Sequence, residues 1–100
     1  MISPVLPGNV QKYAETPMFT ETSVPKKLLG LDDNKPGVWG RIVVIQGQLD
    51  YIIPGSPEQR YRLSPEQYGI IRPTELHRVE LVGNVRFKVE FLKKGKGAEA

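Results

Sequence analysis

The chain has 100 residues and no cysteine, and its 14 Lys and Arg set against 11 Asp and Glu leave a formal net charge of +3. That length fits one domain able to bury about 65% of the surface its unfolded form exposes, while the missing thiols exclude a disulfide framework, a thiolate metal site and a cysteine nucleophile. The basic excess leans on Lys93, Lys94 and Lys96, without the basic groove and interleaved aromatics of a nucleic-acid binder.

Residues 1–12 hold Pro4, Pro7 and Gly8 and show neither the helical nor the strand period, so they read as an extended arm that can lie along an edge strand. They have no basic leader, and prolines interrupt their apolar stretch; no run in the chain approaches a membrane span, which predicts a soluble, cytoplasmic protein. Pro17 keeps residues 13–19 out of a central strand, residues 20–25 are a polar connection, and residues 26–31 are open between a short strand and one helical turn. Residues 32–37, DDNKPG, form a turn cluster.

Residues 37–51, GVWGRIVVIQGQLDY, organise the chain, because they hold the longest apolar run and the single tryptophan. Their β-branched content predicts a central strand, with Gln46-Gly47-Gln48 as a hairpin turn and residues 49–53 as the returning strand. Val43 and Ile45 on one parity and Ile42 and Val44 on the other predict that both faces are covered, as in a sandwich or small closed barrel.

A Pro54-Gly55-Ser56-Pro57 loop follows, and the motif SPEQ occurs at residues 56–59 and again at 64–67. Both copies carry a capping-box pattern, but their close spacing predicts single turns flanking a short strand. Residues 68–72 read as a strand ended by Pro73. After a turn at 74–76, His77, Val79 and Leu81 share one strand face; Gly83-Asn84 reads as a tight turn. The last strand, residues 85–92, places Val85, Phe87, Val89 and Phe91 on one side and Arg86, Lys88 and Glu90 on the other. Residues 93–100, KKGKGAEA, have no apolar payload and are expected to be a disordered tail. Short strands punctuated by turns, with no convincing helix, indicate an all-β sandwich or barrel.

Chemistry has few places to sit. With one histidine, no cysteine and no serine in a nucleophile-elbow setting, a catalytic triad lacks its parts, and no glycine loop is suited to phosphate. His77 follows a proline turn and begins a strand, where it faces a barrel mouth if it lies on the inward parity. Arg41 stands among apolar residues and must reach water or an acid, with Glu90 a natural partner; a structural ion pair is favoured over an anion-binding device. Trp39 is open between core or rim packing and a ligand-stacking wall, and Tyr51 and Tyr61 between a cross-strand pair and a pocket lining.

The central segment, followed by IIRPTELHRVEL and VRFKVEFL and preceded by TPMF and VPKKLL, resembles the TehB/YeaR-like family, small cupin-like domains associated in name with tellurite resistance. The resemblance covers residues 13–92. It implies a cupin-like double-stranded β-helix, or jelly-roll barrel, flanked by an arm at 1–12 and a tail at 93–100. Such domains are often dimeric and commonly hold a divalent metal in the lumen. The positions of the general cupin first motif fall near Asn34, Pro36 and Gly40, and Arg78 follows His77 where the family often doubles the histidine. His77 with a carboxylate such as Glu90 or Asp32 is then the set left for a metal. The expectation is a homodimeric small-ligand or metal-binding domain of a toxic-anion or stress response. Its pocket is lined by Trp39, Arg41, His77 and Glu90, its ligand is a small molecule or oxyanion, and His77 is the metal ligand. The alternatives are a metal-dependent oxygenase or isomerase of cupin type and a non-catalytic interaction module.

Overall fold

A computed structural model describes residues 5–95. The described chain is all-β apart from one helical turn. Its elements are β1 (Val10–Glu15), β2 (Phe19–Thr20), α1 (Lys26–Leu29), β3 (Trp39–Ile53), β4 (Gln59–Leu63), β5 (Gly69–Ile71) and β6 (Arg78–Lys94). They form a six-stranded sheet in the order β1-β6-β3-β4, with β2 also on β6 and β5 also on β3, and every pairing is antiparallel.

The long strands β3 and β6 lie side by side from Trp39 opposite Leu92 to Ile52 opposite Arg78. β5 extends only the first half of β3 and β4 only its last residues, while β1 and β2 extend the second half of β6. The sheet therefore has two arms that share its two long strands. Their junction lies where the β3–β6 register shifts, between Val44 and Gln46 and between Gly47 and Gln48.

That junction corrects two sequence expectations. Gly47 is not a hairpin turn: β3 runs through it, and its φ of 83° serves a bulge. Gly83-Asn84 likewise lies inside β6, with Gly83 at φ 67°. A positive-φ glycine between two β-runs suits a turn or a bulge equally well, and the long-range pairing of β3 with β6 decides for the bulge. The ambiguous residues 26–31 include a helical turn, α1. The arm at 1–12 contributes the start of β1, and Lys93 and Lys94 extend β6 rather than beginning a tail; residues 1–4 and 96–100 lie outside the described residues.

The bulges also shift which parity points inward. Ile42 and Val44 face inward before the junction and Leu49 and Tyr51 after it; they join Leu63, Ile71, Val79, Val85, Phe87 and Val89 in one apolar cluster that draws on both arms. Val24 and Leu28, from the connection around α1, pack against this cluster. On the outer side of the first arm Ile70 and Leu92 are buried, whereas Ile45, beside the register shift, is 47% exposed. The expectation that both faces of β3 are covered therefore holds only in part along this arm.

Outside the second arm, charged side chains do the covering. Ile52 is fully buried although it points outward. Its cross-strand partners are Arg60 and Arg78, whose aliphatic stems can shield it. Asp50, also buried, accepts hydrogen bonds from Arg60 at 3.0 Å and from Arg62. Arg60 continues to Glu80 at 3.2 Å and to Glu58 at 3.5 Å, and Glu80 also pairs with Arg78 at 2.6 Å. Burial opposes ionisation of Asp50, but the Arg62 and Arg60 bonds outweigh it and hold its carboxyl below the ordinary value. Glu80 is lowered chiefly by Arg78 and then Arg60.

Carboxylates whose folded pKa values are depressed contribute stability above their unfolded values, near pH 4, and lose it as pH falls through the folded ones. Thermal melts should therefore hold steady from pH 7 to about pH 5 and fall progressively below about pH 4.5. A melting temperature that stays flat to pH 3 would contradict this. No helix of the described chain is long and apolar enough to cross a membrane.

Candidate functional site

His77 is the most deeply buried polar side chain, only 1% exposed. It precedes β6 and is held by a two-residue bridge to the turn cluster: the Asp32 N–H donates to the His77 carbonyl at 2.8 Å, and the His77 N–H donates to the Asp32 carbonyl at 2.9 Å. Thr74 N–H donates to the Asn34 carbonyl at 3.1 Å, so the segment after the proline turn and the turn before β3 are joined at a second point. This is the structural use of the Asp-Asp-Asn sequence: its backbone closes over the histidine.

Inside the fold, the His77 ring lies 5.4 Å from the Tyr51 ring, centroid to centroid. Tyr51 donates its hydroxyl to Glu75 Oε1 at 3.2 Å, and burial first, then Glu75, raises its pKa above the ordinary value. His77 Nδ1 is 2.9 Å from the Glu75 carbonyl. A carbonyl can only accept, so Nδ1 carries the proton, and Nε2 lies on the other side of the ring. Among the described residues no protein group hydrogen-bonds Nε2, and no buried side-chain nitrogen or oxygen lacks a partner. Nε2 is therefore the atom through which His77 meets open space.

His77 is one of the residues lining a cleft of about 170 Å³. Its walls are Phe19, Leu28, Ile71, Val89 and Phe91; its polar margin is Thr16, Lys27, Asp32 and Asn34. Thr16 is already used, accepting from Val89 N–H at 3.0 Å and donating to the Pro17 carbonyl at 2.8 Å. The Lys27 side chain is 76% exposed, and its ammonium stands 3.8 Å from Asp32 Oδ1. A neighbouring recess of about 280 Å³ shares Lys27, Asp32, Asn34 and Phe91 with the cleft.

The four residues expected to share a pocket are not brought together. Arg41 is the register partner of Glu90; it donates from Nε to Glu90 Oε1 at 2.8 Å, and its Nη2 is 2.7 Å from the same oxygen. Both alternate with the inward residues Ile42, Val89 and Phe91, which places the pair on the outer side of the first arm. Lys12 and Lys88 each approach Glu90 at 3.5 Å, and the Arg41 guanidinium lies 5.8 Å from the Tyr68 ring centroid. Burial disfavours the Glu90 carboxylate, but Arg41 more than compensates and keeps its pKa below the ordinary value. The pair is a structural one. Trp39 lines a different groove, bordered by Lys93 and Lys94.

Of the expected set, only His77 reaches the cleft. Lys27 was not singled out by sequence, and Asn34 only as a position near the general cupin first motif; Asp32, weighed as a metal partner, meets His77 through the backbone bridge. The signal for Asn34 was its place in the turn cluster, whereas Lys27 carried none. A divalent metal does not fit these residues: the chain has one histidine and no cysteine, and among the described residues no three His, Cys, Asp or Glu side chains converge. Protein metal centres generally require about three such ligands.

A profile for the TehB-like domain matches residues 14–89. Among solved structures the chain is similar to TehB from Haemophilus influenzae, at 22% identity and a TM-score of 0.78, over 87% of this chain and 32% of that one. It thus spans about a third of that protein's length. It is also similar to a protein from E. coli strain K12, at 22% identity and a TM-score of 0.83, over 93% of this chain and 99% of the other. No curated protein sequence matches.

Proposed function

The chain belongs to the TehB-like domain family, and from that premise we propose that it is a cupin-like small-ligand-binding domain acting in a tellurite, toxic-anion or stress response. The antiparallel sheet, whose two arms both contribute side chains to one core, is what supports the cupin-like reading of the fold. The observation that carries the functional reading is a buried histidine, its Nε2 without a hydrogen-bond partner among the described residues, in the lining of a cleft with apolar walls and a charged margin.

Few precisely placed polar groups within a mostly apolar concavity are what a small-molecule site requires. The cleft is small, so its ligand is compact. An acidic hydroxyl can donate to Nε2 while a charged oxygen faces the Lys27 ammonium, and the apolar side of the molecule rests on Phe19 and Phe91. Partly protonated oxyanions and small carboxylic acids have this shape and charge. Asp32 opposes an anion, but its pairing with Lys27 limits the repulsion. The domain binds and releases its ligand.

The test is a thermal-shift screen of oxyanions and small acids. A ligand present at about 100 times its Kd stabilises the fold by about 2.7 kcal/mol, a rise on the order of 10 °C for a domain of this size. His77→Gln and Lys27→Ala should each reduce that rise by more than half. Lys27 is exposed, so its variant folds normally and keeps the test decisive if His77→Gln does not. A hit that stabilises all three proteins equally contradicts the site.

A further inference from the structure

A second concavity of the described chain lies apart from the His77 cleft. It is a groove of about 600 Å³ between residues 7–10, the turn that precedes β3 and the end of β6. That volume lies in the range of small-molecule sites, roughly 300–1,000 Å³. Its walls are apolar, formed by Val10, Pro36, Val38 and Trp39, and Lys93 and Lys94 stand at its border. No carboxylate lines it. Among the described residues neither lysine has a salt-bridge partner; the Lys93 ammonium instead lies 4.3 Å from the Tyr13 ring centroid.

We propose that this groove is a second binding site, separate from the His77 cleft, for a planar aromatic anion such as an aryl carboxylate. The ring packs on the Trp39 indole, and the anionic group is met by the Lys94 ammonium, since Lys94 shares a face of β6 with Leu92, the register partner of Trp39, whereas Lys93 turns to the other face over Tyr13. Aromatic rings gain from offset or edge contact with an indole beyond the area they bury. An ammonium with no salt-bridge partner among the described residues supplies charge complementarity. An aliphatic anion leaves the indole unused, and a neutral aromatic leaves Lys94 unused.

Trp39 is the single tryptophan and His77 the single histidine, so each site has its own resonance in an NMR spectrum. Titration of the full chain with naphthoate should move the Trp39 indole N–H saturably while the His77 ring stays still. Cyclohexanecarboxylate and naphthalenemethanol should each bind at least about fivefold more weakly, as should naphthoate to a Lys93→Gln/Lys94→Gln double variant or in high salt. Both lysines are exposed, so that variant keeps the fold, which its melting temperature verifies. The proposal is overturned if Trp39 does not move saturably, if the double variant binds naphthoate as well as the wild type, or if His77 shifts with the same midpoint.

Discussion

Replacing Phe87 with alanine should cost about 3–5 kcal/mol, a large part of the roughly 5–15 kcal/mol that holds a domain of this size together. Phe87 is fully buried and central to both arms. It is paired across the sheet with Val44 on one side and with Phe19 on the other, and its ring meets the Phe19 ring edge to face at 5.7 Å. Truncation removes the apolar contact area and leaves a void that the bulged strands cannot close without losing their register. Because Phe19 is also a wall of the His77 cleft, the same variant should bind any cleft ligand more weakly. Urea unfolding measures the first effect through the midpoint at constant slope. A loss under about 1 kcal/mol would mean that the core is not centred on Phe87.

The second large effect is expected at Gly47. An added Cβ would sit 2.2 Å from the Asn84 carbonyl oxygen, a backbone atom, and the residue's φ of 83° already disfavours a side chain. Gly47→Ala should therefore cost about 3 kcal/mol or more, combining backbone strain with a clash that only movement of β6 can relieve. Gly83→Ala is the control. It shares the positive φ, at 67°, but a Cβ there meets nothing within 4 Å, so it should cost only about 1 kcal/mol. Equal losses for the two variants, measured in the same urea series, would show that close approach at the bulge is not what fixes Gly47.

These two positions mark where sequence reasoning reached its limit. The alternation of Val85, Phe87, Val89 and Phe91 was legible because a half-buried strand has a period of two, and the structure turns those residues inward. Arg41 with Glu90 was legible too, since a charge within an apolar run needs an acid, and the two are register partners. The same period could have separated that pair from His77: with Val89 and Phe91 inward, Glu90 faces out. Glycine chemistry was read correctly as positive φ at Gly47 but assigned to a turn. Local sequence does not encode whether the chain reverses or continues; the partner strand does, and it lies some 40 residues away in sequence. The cleft's polar margin was hidden for the same reason, because Lys27 and Asn34 join His77 only after the turn cluster folds back over it.

The measurement that tests the account most directly follows the His77 ring nitrogens by NMR while the best hit of the oxyanion and small-acid screen is added to the full chain. Binding in the cleft predicts that the Nε2 resonance moves saturably, that Nδ1, tied to the Glu75 carbonyl, moves little, and that the midpoint agrees with the ligand dependence of the melting temperature. A ligand that raises the melting temperature while both His77 nitrogens stay in place would contradict it, and the site would have to be sought elsewhere on the molecule.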